Sequence, residues 1–170
     1  NIRRYQNRAK SLGMALRMDV LRGSTEVLEG VTRFAELEGR GWKGKERTAL
    51  ASTPQQLRFY SALMEQFAAQ GQAQVFELWG NGQLLASRLA ITSASKLVML
   101  KTTFDETQKE LASGRLLLHQ TLAHLFELRP DTTVAFCTNA DKDLCDWADR
   151  QRTIQHVTVF RHWLGRWGWK

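Results

Sequence analysis

The sequence holds only two cysteines in 170 residues, Cys137 and Cys145, and their spacing fits no zinc or thiol-redox motif, so a reduced, cytoplasmic setting is the default expectation. No apolar run reaches the roughly 18 residues that a membrane span needs. The opening NIRRYQNRAK lacks the apolar stretch of a signal peptide. The chain starts at asparagine rather than methionine, which suits a processed or excised piece, so a targeting segment on a longer parent is left open. A Gly-x-Ser-x-Gly elbow and a Walker-type phosphate loop are both missing, which disfavours hydrolase and kinase chemistry. His119 and His124 are five apart on one expected helix and fall on different faces, and His156 and His162 come without a carboxylate motif, so no metal site is expected. Internal repeats and low-complexity segments are absent too.

What is present is a globular chain. A hydrophobic content of 43% is enough to bury a core, and the length suits one compact domain. The reading divides it into a basic N-terminal helix (1–13), a main domain (14–162) and a Trp/Arg-rich tail (163–170). The net charge of +7 raises the question of nucleic acid. Residues 1–50 carry 11 basic against 6 acidic side chains, whereas residues 51–160 carry 10 against 11. A near-neutral middle argues against a nucleic-acid-binding core, which would hold its excess cations on the working face. The tail crowds Trp163, Trp167 and Trp169 among cations, which fits either a surface-seeking segment or a frayed end.

Periodicity sets the order of elements. A short basic helix ends near Gly13 and a strand is expected over Met14–Leu21. Ser24 then caps a helix whose Val27, Leu28, Val31, Phe34 and Ala35 recur at helical spacing up to Gly39. Thr53-Pro54-Gln55-Gln56 has the form of a capping box with proline at the first helical position, and the stripe Leu57, Tyr60, Leu63, Met64, Phe67, Ala68 follows as far as Gly71. Gln74–Trp79 and Gln83–Thr92 read as strands joined by the hairpin signal Asn81-Gly82. Strand Lys96–Thr103, helix Arg115–Leu128, strand Thr132–Thr138, a short helix over Asp143–Arg150 and a strand Ile154–His162 complete the chain. A meander that gives way to a crossover implies an α/β fold with a mixed sheet, antiparallel in one half and parallel in the other, and a ligand cleft where strands part.

The most informative segment is strand Lys96–Thr103, the loop FDETQKELAS, and the helix opened by Ser113-Gly114-Arg115. On composition alone it is an ordinary strand-loop-helix connection with glycine at the turn. It also has what a pyrophosphate cradle requires, because small residues leave the helix-start amides open while the helix dipole, Lys109 and Arg115 favour an anion.

Particular strings resemble the GNAT acyltransferases, and within them the CelD-like, FemAB-related branch associated with bacterial cellulose and exopolysaccharide synthesis. They are Glu38-Gly39-Arg40-Gly41-Trp42-Lys43-Gly44 with Thr48-Ala49, Phe59-Tyr60, Leu100-Lys101-Thr102-Thr103-Phe104-Asp105-Glu106, and Ser113-Gly114-Arg115-Leu116-Leu117. The likeness covers about residues 3–150. It departs from the branch at 139–147, where only Trp147 matches, and the upstream GNAT-like half that members often carry is not in this sequence, which suits a fragment of a longer chain. The resemblance implies a GNAT fold and acyl transfer, with acetyl-CoA as donor and the amino group of a small molecule or saccharide as acceptor in polysaccharide or envelope metabolism. A homodimer or an upstream GNAT-like half is the implied protein partner. It further implies that Met99, Leu100, Lys101 and Thr102 meet the pantetheine arm, that Lys109, Ser113, Gly114, Arg115 and Leu116 hold the pyrophosphate, and that an amide near Leu100 serves the oxyanion. Asp105 or Glu106, with Glu77 third, is the expected base, although each also reads as part of a solvated acidic turn. Trp42 and Lys43 are expected at the acceptor groove, Trp42 being equally suited to plugging the core. The leaving-thiolate tyrosine common in the family has no counterpart, since Tyr5 and Tyr60 are the only tyrosines. Two other functions remain open: a non-catalytic GNAT-like scaffold, and a Fem-like transferase using charged tRNA.

Overall fold

The turn Asn81-Gly82 shows how local sequence sets the sheet. Both residues take positive φ, 51° and 82°, the backbone of a tight hairpin that matches strand twist. The Asn81 side chain also accepts from the Ala15 amide at 3.1 Å and donates to the Gly13 carbonyl at 3.3 Å. It thereby ties the hairpin to the chain's first connection. This computed structural model describes residues 1–41, 50–138, 142–153, 155 and 157. Two compact units result, Asn1–Cys137 and Thr138–Lys170.

The first unit runs α1 (Ile2–Ser11), β1 (Leu16–Leu21), α2 (Ser24–Arg40), α3 (Pro54–Ala68), β2 (Ala73–Gly80), β3 (Gln83–Ser93), β4 (Lys96–Phe104), α4 (Ser113–Leu128) and β5 (Thr133–Phe136). The five strands lie in sequence order in one sheet. The first four pair antiparallel and β5 joins β4 in parallel. The mixed α/β architecture expected from the element order is therefore the observed one. Helices α2 and α3 bury Val27, Val31, Phe34 and Met64 against Val75 and Leu89 on one face. On the other face, α4 lies across β2, β3 and β4 beside α1. Because helices cover both faces, β3 is buried without a break from Leu85 to Ala90, the pattern of an internal strand.

Several boundaries differ from the sequence reading for local reasons. The α2 cap is Gly23 rather than Ser24, because the Glu26 carboxylate reaches back to the Gly23 amide at 3.2 Å. Gly39 does not stop this helix, which continues to Arg40. Thr53 precedes Pro54 as expected but makes no side-chain capping bond. The loop after β4 is a 3-10 turn, Glu106–Leu111. In the second unit the short helix spans Lys142–Cys145 (α5) rather than 143–150. The strand expected over Ile154–His162, apart from Gln155 and Val157, lies outside the described residues, as does the tail 163–170. No described helix is long and apolar enough to cross a membrane.

Candidate active site

Strand β5 leaves its neighbour early. Its pairing with β4 runs from Lys96↔Thr133 to Met99↔Phe136 and ends there. Strand β4 continues to Phe104, leaving five residues, roughly 16 Å, of strand edge with no paired partner among the described residues. At the parting point the register of β4 against β3 slips: Ala90 faces Met99 and Leu89 faces Lys101, so Leu100 is an extra residue. A bulge of this kind breaks the alternation of side chains. Leu100 packs against the α2/α3 core, and Lys101 on the same face reaches the Glu38 carboxylate of α2 at 3.8 Å.

At the far end of the open edge the chain makes the 3-10 turn and enters α4. Ala112 is left-handed (φ 46°) and starts the helix, its carbonyl accepting the Arg115 and Leu116 amides. The Ser113 and Gly114 amides have no acceptor among the described residues. Gly114 lies so close to Phe104 that an added Cβ would approach its ring to 3.2 Å. The Ser113 hydroxyl donates inward to the Leu85 carbonyl at 3.0 Å. Thus an open strand edge runs to a helix start with two unused donors, the arrangement that helix geometry makes receptive to an anion.

The remaining expected residues take different places. Arg115 turns toward α1, donating to the Tyr5 hydroxyl at 3.3 Å, and the Leu116 side chain is core. Lys109 is exposed on the 3-10 turn. Of the carboxylates, Asp105 caps that turn: Oδ1 accepts the Thr107 amide at 2.9 Å and its hydroxyl at 2.6 Å, and Oδ2 accepts from Gln83 at 2.7 Å. Glu77 is buried, with Arg33 donating to it at 2.9 and 3.2 Å and the Trp79 indole at 3.2 Å. That hydrogen bond to Glu77 is the main reason Arg33 holds its proton above the usual arginine value. Glu106 lies against the end of α2, its Oε1 2.8 Å from where a Cβ on Gly41 would be. Trp42 and Lys43 lie outside the described residues.

Two functional-looking groups were missed by sequence reasoning. Glu38 is a buried carboxylate, 2% exposed, that accepts the Leu50 amide at 2.8 Å. Its signal was available, since Val27, Val31, Phe34 and Glu38 fall on one helical stripe. Lys101 also lies over the Tyr60 ring, 5.2 Å from its centre. Burial, helped by the charge of Glu38, raises the Tyr60 phenol above its ordinary value. The second is Arg88, in the middle of the apolar run of β3 and 5% exposed. Its Nη1 donates to the Met99 sulfur at 2.7 Å, and its Nε has no hydrogen-bond partner among the described residues. Burial pushes its pKa down to about 10.

Residues 1–147 match the family model described as an acetyltransferase (GNAT) domain. The chain belongs to the GNAT acetyltransferase family. No protein among those with curated descriptions matches it. Solved structures similar to this GNAT domain include a GCN5-related N-acetyltransferase from Ralstonia eutropha JMP134, with 17% identity over 86% of this chain and 99% of that one, at a TM-score of 0.57. An aminoglycoside acetyltransferase from an uncultured soil metagenomic sample has 11% identity over 86% of this chain and 99% of its own, also at 0.57. A ribosomal-protein-alanine N-acetyltransferase from Brucella melitensis biovar Abortus 2308 has 16% identity over 87% and 99%, at 0.50. At these identities the likeness is one of fold. The family's acyl donor is acetyl-CoA.

Proposed function

We propose that this GNAT domain transfers an acetyl group from acetyl-CoA to an amino group carried by a saccharide in polysaccharide or envelope metabolism. The observation that carries the donor half of the reading is the continuous path from the unpaired edge of β4 to the unused amides of Ser113 and Gly114. Leu100 to Thr103 would line the pantetheine arm, and the helix start with Lys109 would meet the pyrophosphate. The saccharide half rests on the likeness of the 38–44 and 100–106 strings to the CelD-like, FemAB-related branch. An amine on a sugar ring is also what the name of the aminoglycoside acetyltransferase implies for that protein.

The donor brings an acetyl group already activated as a thioester, so the chain has three tasks: holding, deprotonating and stabilising charge. The acceptor ammonium gives one proton to a carboxylate, the nitrogen forms the new bond to the acetyl carbon as the carbon-sulfur bond breaks, and the second nitrogen proton passes to the leaving thiolate. Glu106, which lies against the end of α2 just past the open edge of β4, is the proposed base. The Glu38, Lys101 and Tyr60 group on the same side of the sheet would border the acceptor groove. Strand amides around the Leu100 bulge would face the developing oxyanion.

Calorimetry with acetyl-CoA tests the donor half: saturable heat is expected, and its absence would end the enzyme reading. Gly114→Asp and Gly114→Ala add the same Cβ beside Phe104, but only the aspartate puts a negative charge at the cradle. The aspartate variant should lose at least about tenfold more affinity, one charge-assisted contact, than the alanine variant. Equal losses would mean that the pyrophosphate lies elsewhere. Glu106→Gln should lower kcat/KM with an amino-sugar acceptor by about 10²-fold or more.

A further inference from the structure

A second site lies at the opposite end of the sheet, and its argument is independent of the acetyltransferase reading. A pocket of about 360 Å³ opens where β2 and β4 begin, β3 ends and α4 finishes. Helix α4 runs antiparallel to β4, so its start and end lie on the order of 25 Å apart along that nine-residue strand. The pocket therefore shares nothing with the cradle at Ser113 and Gly114.

Its lining is all of one sign. Arg22, Lys96 and Arg129 converge on it, and no acidic residue lines it. Glu127 and Asp131 flank Arg129 in sequence but are exposed and lie outside the lining. Three cations elsewhere on this sheet and on α2 have carboxylate partners, Arg17 with Asp19, Arg33 with Glu77 and Lys101 with Glu38. Arg22, Lys96 and Arg129 have none among the described residues. Arg22 is held by His124, its Nη2 3.0 Å from the ring Nε2. A guanidinium only donates, so the ring nitrogen accepts, and the other N–H groups of Arg22 remain for a ligand. Beside these cations the buried Oε1 of Gln74 has no hydrogen-bond partner. Gly71, left-handed at φ +67°, would place a Cβ in open space, so the rim is unobstructed.

Three like charges around one concavity repel one another, and an anion removes that repulsion while using forked donors suited to phosphate oxygens. An orphaned acceptor in the same pocket calls for a donor on the same ligand. We infer that this pocket binds a small phosphate ester bearing a hydroxyl group, with the phosphate among Arg22, Lys96 and Arg129 and the hydroxyl donating to Gln74. The volume lies in the range of small-molecule sites.

The test is an amide NMR titration of the ¹⁵N-labelled chain with glycerol 3-phosphate, inorganic phosphate and glycerol, each at constant ionic strength. Saturable shifts are expected at Gly71, Gln74, Lys96 and Thr132, for both phosphate compounds and not for glycerol, with the ester binding more tightly. The double variant Arg22→Ser/Arg129→Ser should weaken both by at least about tenfold, the loss of charge-assisted contacts. Gln74→Leu should abolish the advantage of the ester over phosphate. Arg22 and Arg129 are exposed, and an otherwise unchanged spectrum establishes that the double variant is folded. Non-saturating shifts spread over the basic surface would mean an adventitious ion only and would overturn the site. So would equal affinity in the double variant, or shifts centred on Ser113–Leu116. Equal affinity for ester and phosphate would overturn the assignment of an ester.

Discussion

With only two tyrosines in the chain, the ionisation of each can be read separately. Tyr5 is lowered, chiefly by the hydrogen bond from Arg4, which outweighs the opposing effect of burial and is joined by Arg115. Tyr60 is raised, chiefly by burial and then by Glu38. The absorbance of tyrosinate should therefore rise in two steps on either side of pH 10, with Tyr5→Phe deleting the lower step and Tyr60→Phe the upper. A single step at 10 would contradict the packing of Tyr60 beside Glu38. The signs for stability follow. Protonated Tyr60 contributes fully below pH 10, and this is lost as pH climbs through its folded value. Tyr5 contributes above pH 10. Arg88 is the opposite case for a base. Burial lowers it to about 10, so holding its charge costs stability below that pH, a cost that fades as pH rises from there toward the ordinary arginine value. Arg88→Met should raise the unfolding free energy at pH 7 by about 1–4 kcal/mol, read as a higher urea midpoint, if the well-packed replacement behaves as buried charge replacements do elsewhere.

At the scale of elements, α2 approaches the sheet through Gly30, where a Cβ would meet Leu21 Cδ1 at 2.8 Å and Val75 Cβ at 3.1 Å. The valine Cβ is fixed to the backbone of a central strand and cannot yield. Gly30→Ala should therefore lower stability by about 1–3 kcal/mol as an overpacked contact, and should disturb Glu38 and Lys101 because α2 carries Glu38. An unchanged melting temperature would mean that α2 is free to shift. Such elements were legible in the sequence because their signals are local: the apolar stripes of α2 and α3, the Asn81-Gly82 turn and the proline at the start of α3 each decide a backbone geometry by themselves. The β4 bulge was not legible, because a slipped register is decided by two strands together, and with it went the reason that Leu100 and Lys101 share a face. The roles of the carboxylates were hidden in the same way. Nothing in the string Phe104-Asp105-Glu106 distinguishes a turn cap from a base. Only the Thr107 amide and the Gln83 side chain, meeting Asp105 in space, identify Asp105 as the turn cap.

At the scale of the whole molecule, the two proposed anion sites lie at opposite ends of one helix of the first unit, and they should act independently. Sites more than about 10 Å apart with no shared partners contribute additively. A ligand at one hundred times its dissociation constant adds about 2.7 kcal/mol, which for a chain of this size corresponds to roughly 5–10 °C in melting temperature. Coenzyme A at saturating concentration should thus raise the melting temperature, glycerol 3-phosphate should raise it separately, and the two increments should sum. The Gly114→Asp variant should lose only the first and Arg22→Ser/Arg129→Ser only the second. Increments that fail to sum would mean that both ligands compete for one place, and the direction of the failure would say which. If the double arginine variant loses the coenzyme A increment, the pyrophosphate lies in the distal pocket. If Gly114→Asp loses the phosphate increment, the ester is captured at the α4 start, and the charge left around Arg22, Lys96 and Arg129 serves no phosphate ligand.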